Sequence, residues 1–113
     1  MVTSGHGDVD GPLLLEAGAA EDRLVVCADL DLALAGVLQD RAETLLACGG
    51  RTLVVDLSQA PFLDSSGVRA LVEIHRAAQR ESVALRVVAA GQPYAVLEVT
   101  EVLDLLSVER AGG

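Results

Sequence analysis

The apolar residues near the start of the chain form two short runs, at residues 13–17 and 23–28. Gly18 and the polar pair Glu21 and Asp22 separate these runs. Short apolar runs that are bounded by glycine and polar residues are typical of β-strands. The pattern therefore predicts two strands that are joined by a hairpin-like turn.

A helical pattern begins at Asp31 and ends at the glycine pair 49–50, because glycine commonly terminates a helix. At about 100° per residue, several apolar side chains fall on one face of this helix, with Arg41 in the middle of that face. These side chains are Leu34, Val37, Leu38, Leu45 and Cys48. Consecutive branched apolar residues then predict a buried strand over residues 51–57.

A second helix is predicted from residues 64–66 to about residue 79, and it has the clearest amphipathic pattern in the chain. Its apolar face carries Val68, Leu71, Ile74 and Ala78, and its polar face carries Arg69, Glu73, Arg76 and Arg80. A strand at residues 83–89, a third helix from Pro93 to about Val99 and a last strand at residues 105–109 complete the pattern.

The predicted order of elements is ββαβαβαβ. Because strands and helices alternate after the opening pair, the later connections are expected to be parallel crossovers. The predicted fold class is α/β, with a single domain over residues 13–113 in which helices pack on a mixed β-sheet. Residues 1–12 show no periodic pattern, and we expect a flexible N-terminal lead-in there.

Composition and charge limit the class of protein. The chain has 113 residues, of which 51% are hydrophobic and 22% charged, as in one globular domain. Its formal charge of -9 and its lack of a basic stripe argue against direct binding of nucleic acid. The longest run without a charged residue, 87–97, is too short to span a bilayer, and the N-terminus has no secretory pattern. We expect a cytoplasmic protein that does not insert into membranes.

Most other candidates for chemistry are weak. Cys27 and Cys48 are too far apart for a CxxC pair, and we expect two buried thiols in a reducing compartment. His75 lies on the apolar side of the second helix, and this position favours a histidine at the edge of the core over a catalytic one. The chain lacks the glycine-flanked serine of a hydrolase, a phosphate-binding glycine loop and a calcium loop. We therefore expect no catalytic residue, no metal and no cofactor.

The polar residues Asp64, Ser65 and Ser66 lie between a predicted buried strand and the second helix. A helix N-terminus has unpaired backbone N–H groups and a partial positive charge. Any of the three side chains could cap the helix, and a phosphate added there would be stabilised. The residues by themselves leave two interpretations open, capping alone and a phosphorylation site.

Residues 62–71, Phe-Leu-Asp-Ser-Ser-Gly-Val-Arg-Ala-Leu, follow Leu-Val-Val-Asp-Leu at residues 53–57. This arrangement resembles the hallmark of STAS domains, especially the bacterial anti-sigma factor antagonists. Residues 28–31 resemble the family's Gly-Glu-Leu-Asp segment, and residues 97–102 its Leu-x-Leu-Thr-Gly-Leu segment, so the resemblance extends over about residues 24–108. Two departures stand out: Leu32-Ala-Leu-Ala35 replaces the usual Thr-Ala pair, and Glu101 replaces a glycine.

The resemblance implies a phosphorylatable protein-interaction switch that is not an enzyme. In that family the anti-sigma factor is an ATP-dependent serine kinase, and it phosphorylates the position of Ser65 here, with Ser66 as the second choice. The unphosphorylated antagonist binds the anti-sigma factor and releases the sigma factor, which regulates transcription. A metal-dependent serine phosphatase restores that state. By the same analogy, the partner-binding residues are Asp31, Asp64, Ser65, Ser66 and Gly67.

Two other functions stay open. The domain could be a structural subunit of a lipid-transport ATPase or of another scaffold complex, with Ser65 serving only as a helix cap. It could also bind a nucleotide or another small ligand beside the helix entrance. The charge of -9 disfavours anionic ligands at that place.

Overall fold

The computed structural model describes residues 7–49 and 51–112 of the chain. The alternation of strands and helices follows the sequence pattern closely, with one additional strand near the N-terminus. The elements are β1 (Gly7–Asp10), β2 (Leu13–Ala17), β3 (Glu21–Val26), α1 (Leu32–Cys48), β4 (Thr52–Asp56), α2 (Ser65–Arg80), β5 (Leu85–Ala89), α3 (Gly91–Val99) and β6 (Val108–Arg110).

These strands form one sheet in the chain order β1-β2-β3-β4-β5-β6. The pairs β1–β2 and β2–β3 are antiparallel, whereas β3–β4, β4–β5 and β5–β6 are parallel. One helix connects each parallel pair, as parallel crossovers require. The predicted α/β class with a mixed sheet is confirmed.

The core lies between the sheet and the three helices. Alternate strand residues such as Leu24, Val55 and Val87 are buried and share one cluster with the buried side chains of the helices. Leu24 is paired with Val55, and Val55 with Val87, so these three form one row across the sheet. Buried helix residues that face them include Leu34, Leu38, Leu46, Leu71, Ile74 and Leu97. The apolar face predicted for α2 is confirmed, since Leu71, Ile74 and Ala78 are buried.

The N-terminal region requires a correction. The sequence predicted no strand before residue 13, but Gly7–Asp10 forms β1 and pairs with β2. The two-residue loop Gly11-Pro12 joins them, and Gly11 has φ 59°. A positive φ at the first position of such a loop is typical of a type II′ hairpin. The glycine-rich composition of this region had instead indicated a segment without regular structure. Residues 1–6 of the predicted lead-in lie outside the described residues.

The last strand and the third helix also differ from the prediction. β6 is Val108–Arg110 rather than residues 105–109, and α3 begins at Gly91 rather than at Pro93. Leu106 is buried but lies in a turn, where its N–H donates to the Val102 carbonyl at 3.0 Å. Its apolar character reflects packing of the turn and not strand pairing.

Both cysteines are exposed, so the prediction of two buried thiols is wrong. Cys27 directly follows the last residue of β3, where the chain leaves the sheet. Cys48 ends α1, and its side chain falls off the buried stripe that Leu38, Ala42 and Leu46 form at intervals of four residues. The buried face of α1 is therefore rotated slightly about the helix axis relative to the predicted face.

Candidate functional site

The N-termini of α1 and α2 lie side by side at one edge of the sheet. Leu30, after β3, and Leu63, after β4, form an isolated parallel bridge. The Leu30 N–H donates to the Phe62 carbonyl at 2.8 Å, and the Asp64 N–H donates to the Leu30 carbonyl at 3.4 Å. Because Asp31 and Asp64 directly follow the bridged residues, the fold brings together two predicted site residues that are 33 positions apart in the chain.

Each of these aspartates caps a helix. Asp64 Oδ1 accepts hydrogen bonds from the N–H groups of Ser66 at 2.9 Å and Gly67 at 3.1 Å. Asp31 Oδ1 accepts from the Leu34 N–H at 3.1 Å. Such bonds satisfy N–H groups that the helix itself leaves unpaired. Among the three residues that could cap α2, Asp64 has this role.

The two serines have different surroundings. Ser65 is the first residue of α2 and is exposed, whereas Ser66 is half-buried. Ser66 lines an open groove of about 500 Å³ between α1 and α2, together with Leu32 and Arg69. Ser65 is therefore the more exposed of the two serine residues.

Gly67 is buried inside the molecule. A Cβ at this position would overlap Leu63 Cδ1 and would lie 2.8 Å from the Leu30 carbonyl oxygen. Glycine therefore allows α2 to approach the Leu30–Leu63 bridge closely. Of the five predicted site residues, Gly67 acts through packing, while Asp31 and Ser65 are exposed and Asp64 and Ser66 are half-buried.

Sequence reasoning missed a further residue of this site, Gln92 in α3. Its Oε1 accepts from the Leu63 N–H at 2.8 Å, and its Nε2 donates to the Leu63 carbonyl at 3.2 Å. Gln92 is 29 residues away from Leu63 in the chain. An isolated glutamine before a proline carries no local pattern that could have identified this contact.

The start of the loop between β4 and α2 is held by a carboxylate. Asp56 Oδ1 accepts from the N–H of Ser58 at 2.8 Å and from its hydroxyl at 2.6 Å, and Asp56 Oδ2 lies 2.6 Å from Arg23 Nη1. Burial opposes ionisation of Asp56, but the hydrogen bonds from Ser58 and the nearby Arg23 outweigh it and lower the pKa of this carboxyl. The loop therefore begins at the ionised carboxylate of Asp56 and ends at the Leu30–Leu63 bridge.

Two exposed apolar side chains lie near the N-termini of α1 and α2. Leu32, directly after Asp31, is 75% exposed, and Phe62 is 43% exposed. Across the described ranges, no group of three His, Cys, Asp or Glu side chains could hold a metal ion. Nor is any helix within those ranges long and apolar enough to cross a membrane.

A family model described as the STAS domain matches residues 24–111 of the chain. Among solved structures, the chain is similar to an anti-sigma factor antagonist from Mycobacterium paratuberculosis, with 24% identity and a TM-score of 0.77 over 85% of this chain and 82% of that one. It is also similar to the anti-sigma factor antagonist SpoIIAA in its unphosphorylated form, with 17% identity and a TM-score of 0.74 over 88% and 87%.

A candidate anti-sigma factor antagonist from Thermotoga maritima gives 16% identity and a TM-score of 0.74 over 83% of this chain and 82% of that one. At these identities the structural matches show a shared fold. A search of curated protein sequences finds no match.

Proposed function

The chain belongs to the STAS domain family, and we propose that it is an anti-sigma factor antagonist whose binding is controlled by phosphorylation of Ser65. One observation carries the proposal: an exposed serine occupies the first position of α2, directly after the aspartate that caps the helix. Because Asp64 provides the cap, the Ser65 hydroxyl is not needed for that purpose and is accessible to a kinase.

The proposed switch follows from charge. A phosphate on Ser65 would carry close to two negative charges near the exposed Asp31 and the half-buried Asp64. The N-terminus of α2 would stabilise that charge within the free protein. Binding of a partner over the same surface would remove water from the phosphate and from these two carboxylates. Loss of that water costs free energy and strengthens the repulsion between the negative charges, so the complex is weakened.

The proposed partners are an anti-sigma factor that is a serine kinase and a serine phosphatase. In the forward step, the Ser65 oxygen forms a bond to the γ-phosphorus of ATP, the bond to ADP breaks, and the hydroxyl proton passes to a base of the kinase. The phosphatase transfers the phosphoryl group to water and regenerates the hydroxyl. In this scheme the chain is a substrate and a binding protein in the cytoplasm, and the catalytic groups belong to its partners.

The experiment that tests this function combines mass spectrometry with binding. We expect a fraction of the protein isolated from its native host to carry one phosphate on Ser65, located by fragmentation of peptide 62–69. The Ser65→Ala variant should accept no phosphate and still bind the anti-sigma factor that co-purifies with the wild type, whereas Ser65→Asp should bind it more weakly. Ser66→Ala is the matched control and should still be phosphorylated.

Two results would contradict the proposal. The first is a single unmodified species under all conditions of growth and stress. The second is phosphate uptake by Ser65→Ala together with equal binding by the wild type and both variants. Co-purification with a transporter ATPase, and not with a kinase-like ATPase, would instead support the structural-subunit alternative.

A further inference from the structure

The side-chain amide of Gln92 is bonded to both backbone polar groups of Leu63, two residues before Ser65. From this contact we propose that Gln92 is a positioning residue, which holds the end of the β4–α2 loop (residues 57–64) so that Ser65 is presented to the kinase. The role in phosphorylation depends on the function proposed above. The role in holding the loop does not depend on it.

The contact continues the sheet beyond its strands. In the parallel bridge, the N–H and carbonyl of Leu30 bond to residues 62 and 64, so the N–H and carbonyl of Leu63 point to the opposite side. A neighbouring strand would offer them one acceptor and one donor. The Gln92 amide offers the same pair of groups, at 2.8 and 3.2 Å.

The three residues also follow the order of the strands. Leu30 lies after β3, Leu63 after β4 and Gln92 after β5, and these strands are neighbours in the sheet. The end of the β4–α2 loop is therefore held from both sides, by backbone on one side and by a single side chain on the other. Removal of that side chain leaves the hydrogen bonds to Leu30 and the packing of the buried Leu63 side chain, and it leaves the outer N–H and carbonyl of Leu63 without this partner.

Gln92 lies at the start of α3, between Gly91 and Pro93. Gly91 has φ 60°, in the left-handed region, and Pro93 is buried. Ala90, at the N-cap position of α3, makes no side-chain capping bond. The polar side chain at the start of α3 is thus bonded to the β4–α2 loop instead of to its own helix.

Loss of the contact should loosen the cap of α2. Asp64 follows Leu63 directly, and its carboxylate holds the N–H groups of Ser66 and Gly67. If Leu63 moves, the Asp64 cap and the Ser65 hydroxyl move with it. A displacement of about 1 Å is enough to slow a reaction that depends on alignment of a nucleophile.

Amide hydrogen exchange measured by NMR tests the contact directly. In Gln92→Ala, the Leu63 amide should exchange about five to ten times faster than in the wild type, the factor expected for loss of one hydrogen bond. The amide signals of Ser66 and Gly67 should shift. Gln92→Glu keeps an acceptor for the Leu63 N–H but loses the donor, and an intermediate effect is expected. Gln79→Ala, an exposed glutamine near the other end of α2, is the matched control and should change none of these signals.

Phosphate occupancy on Ser65 tests the role in presentation. The wild type and the three variants are produced in the native host, and intact masses are compared at equal protein abundance and with similar melting temperatures. We expect occupancy to fall several-fold in Gln92→Ala and to stay unchanged in Gln79→Ala. Unchanged Leu63 exchange in Gln92→Ala overturns the proposal entirely.

Faster exchange with unchanged occupancy overturns the role in presentation. An unphosphorylated wild type contradicts the proposed function and, with it, that role, while the exchange data still decide whether Gln92 holds the loop. The two failures are therefore distinguishable.

Discussion

Gly67 shows how a single missing side chain sets the geometry of the site. Its position on α2 faces the Leu30–Leu63 bridge so closely that even a methyl group has no room. Asp64 and Asp31 cap their own helices beside this contact. The glycine of the Ser-Ser-Gly sequence is therefore explained by the close contact between α2 and the Leu30–Leu63 bridge.

We expect Gly67→Ala to destabilise the protein by roughly 1–3 kcal/mol, the usual range for added volume in a packed core. The reason is overlap with Leu63 and with the backbone oxygen of Leu30, which cannot move without breaking the bridge. Urea unfolding followed by circular dichroism measures the change.

The matched control for this prediction is Gly36→Ala in α1. A Cβ at Gly36 meets no atom within 4 Å, so alanine should stabilise the helix by up to about 1 kcal/mol. Equal effects of the two substitutions would contradict the packing role of Gly67.

At the scale of elements, ion pairs connect the parallel strands on the sheet face opposite the core cluster. Arg23 of β3 and Arg86 of β5 flank Val54 of β4 in register, and Val54 is completely buried. Arg23 binds Asp56, and Arg86 binds Glu109 of β6 through two bonds of 2.9 Å. Long arginine side chains can cover apolar surface while their charged ends stay paired, and this arrangement suits a sheet face that carries Val54.

The Asp56 pair predicts a pH dependence of stability. The pKa of Asp56 in the folded protein lies below its ordinary value of 3.8. Its stabilising effect is therefore fully present above that value and is lost as pH falls through the lower value of the folded state. We expect Asp56→Asn to cost about 1.5–3 kcal/mol at pH 7, the usual contribution of a hydrogen bond to a charged group.

Denaturant unfolding from pH 7 to pH 2.5 checks this expectation. The difference between Asp56→Asn and the wild type should shrink as the pH falls through the folded-state pKa of Asp56. Glu73→Gln, which removes an exposed pair with Arg76 on α2, is the control and should change stability little at any pH. If the difference in the free energy of unfolding stays constant with pH, the ionised Asp56 carboxylate is not the source of the stabilisation.

On the scale of the whole molecule, one cluster of buried residues joins the sheet to all three helices. Strands β2 to β5, which contribute to this cluster, are neighbours both in the chain and in the sheet. No separate second core divides the described part of the chain. The domain should therefore fold as one cooperative unit.

We expect a single thermal transition with an unfolding enthalpy of about 80 kcal/mol near 60 °C, from the usual value per residue. Circular dichroism reports on the whole chain, and fluorescence of Tyr94, the only tyrosine in a chain without tryptophan, reports on α3 beside Arg110. The two probes should give the same midpoint, and the calorimetric and van't Hoff enthalpies should agree. Separate midpoints would show that the region of α3 unfolds independently.

Much of the fold was predictable because local patterns agree with the tertiary structure. The periodic apolar residues of α2, the consecutive branched residues of β4 and the glycine after Cys48 each indicate one element, and the structure contains all three. The exceptions have local causes. The short hairpin around the Gly11-Pro12 turn has no clear apolar pattern before the turn. Leu106 is buried as strand residues often are, although it lies in a turn.

Local patterns along the chain are sufficient to specify the α/β class, the order of the main elements and the acidic and serine side chains at the entrance to α2. Which of these residues become neighbours depends on the three-dimensional arrangement of the strands and helices. Asp31 lies near Asp64 because the parallel strands that precede them end at the same edge of the sheet. Gln92 bonds to Leu63 because α3 starts beside that edge. Contacts between residues so distant in the chain leave no periodic pattern, since they depend on the pairing order of the strands and not on local preference.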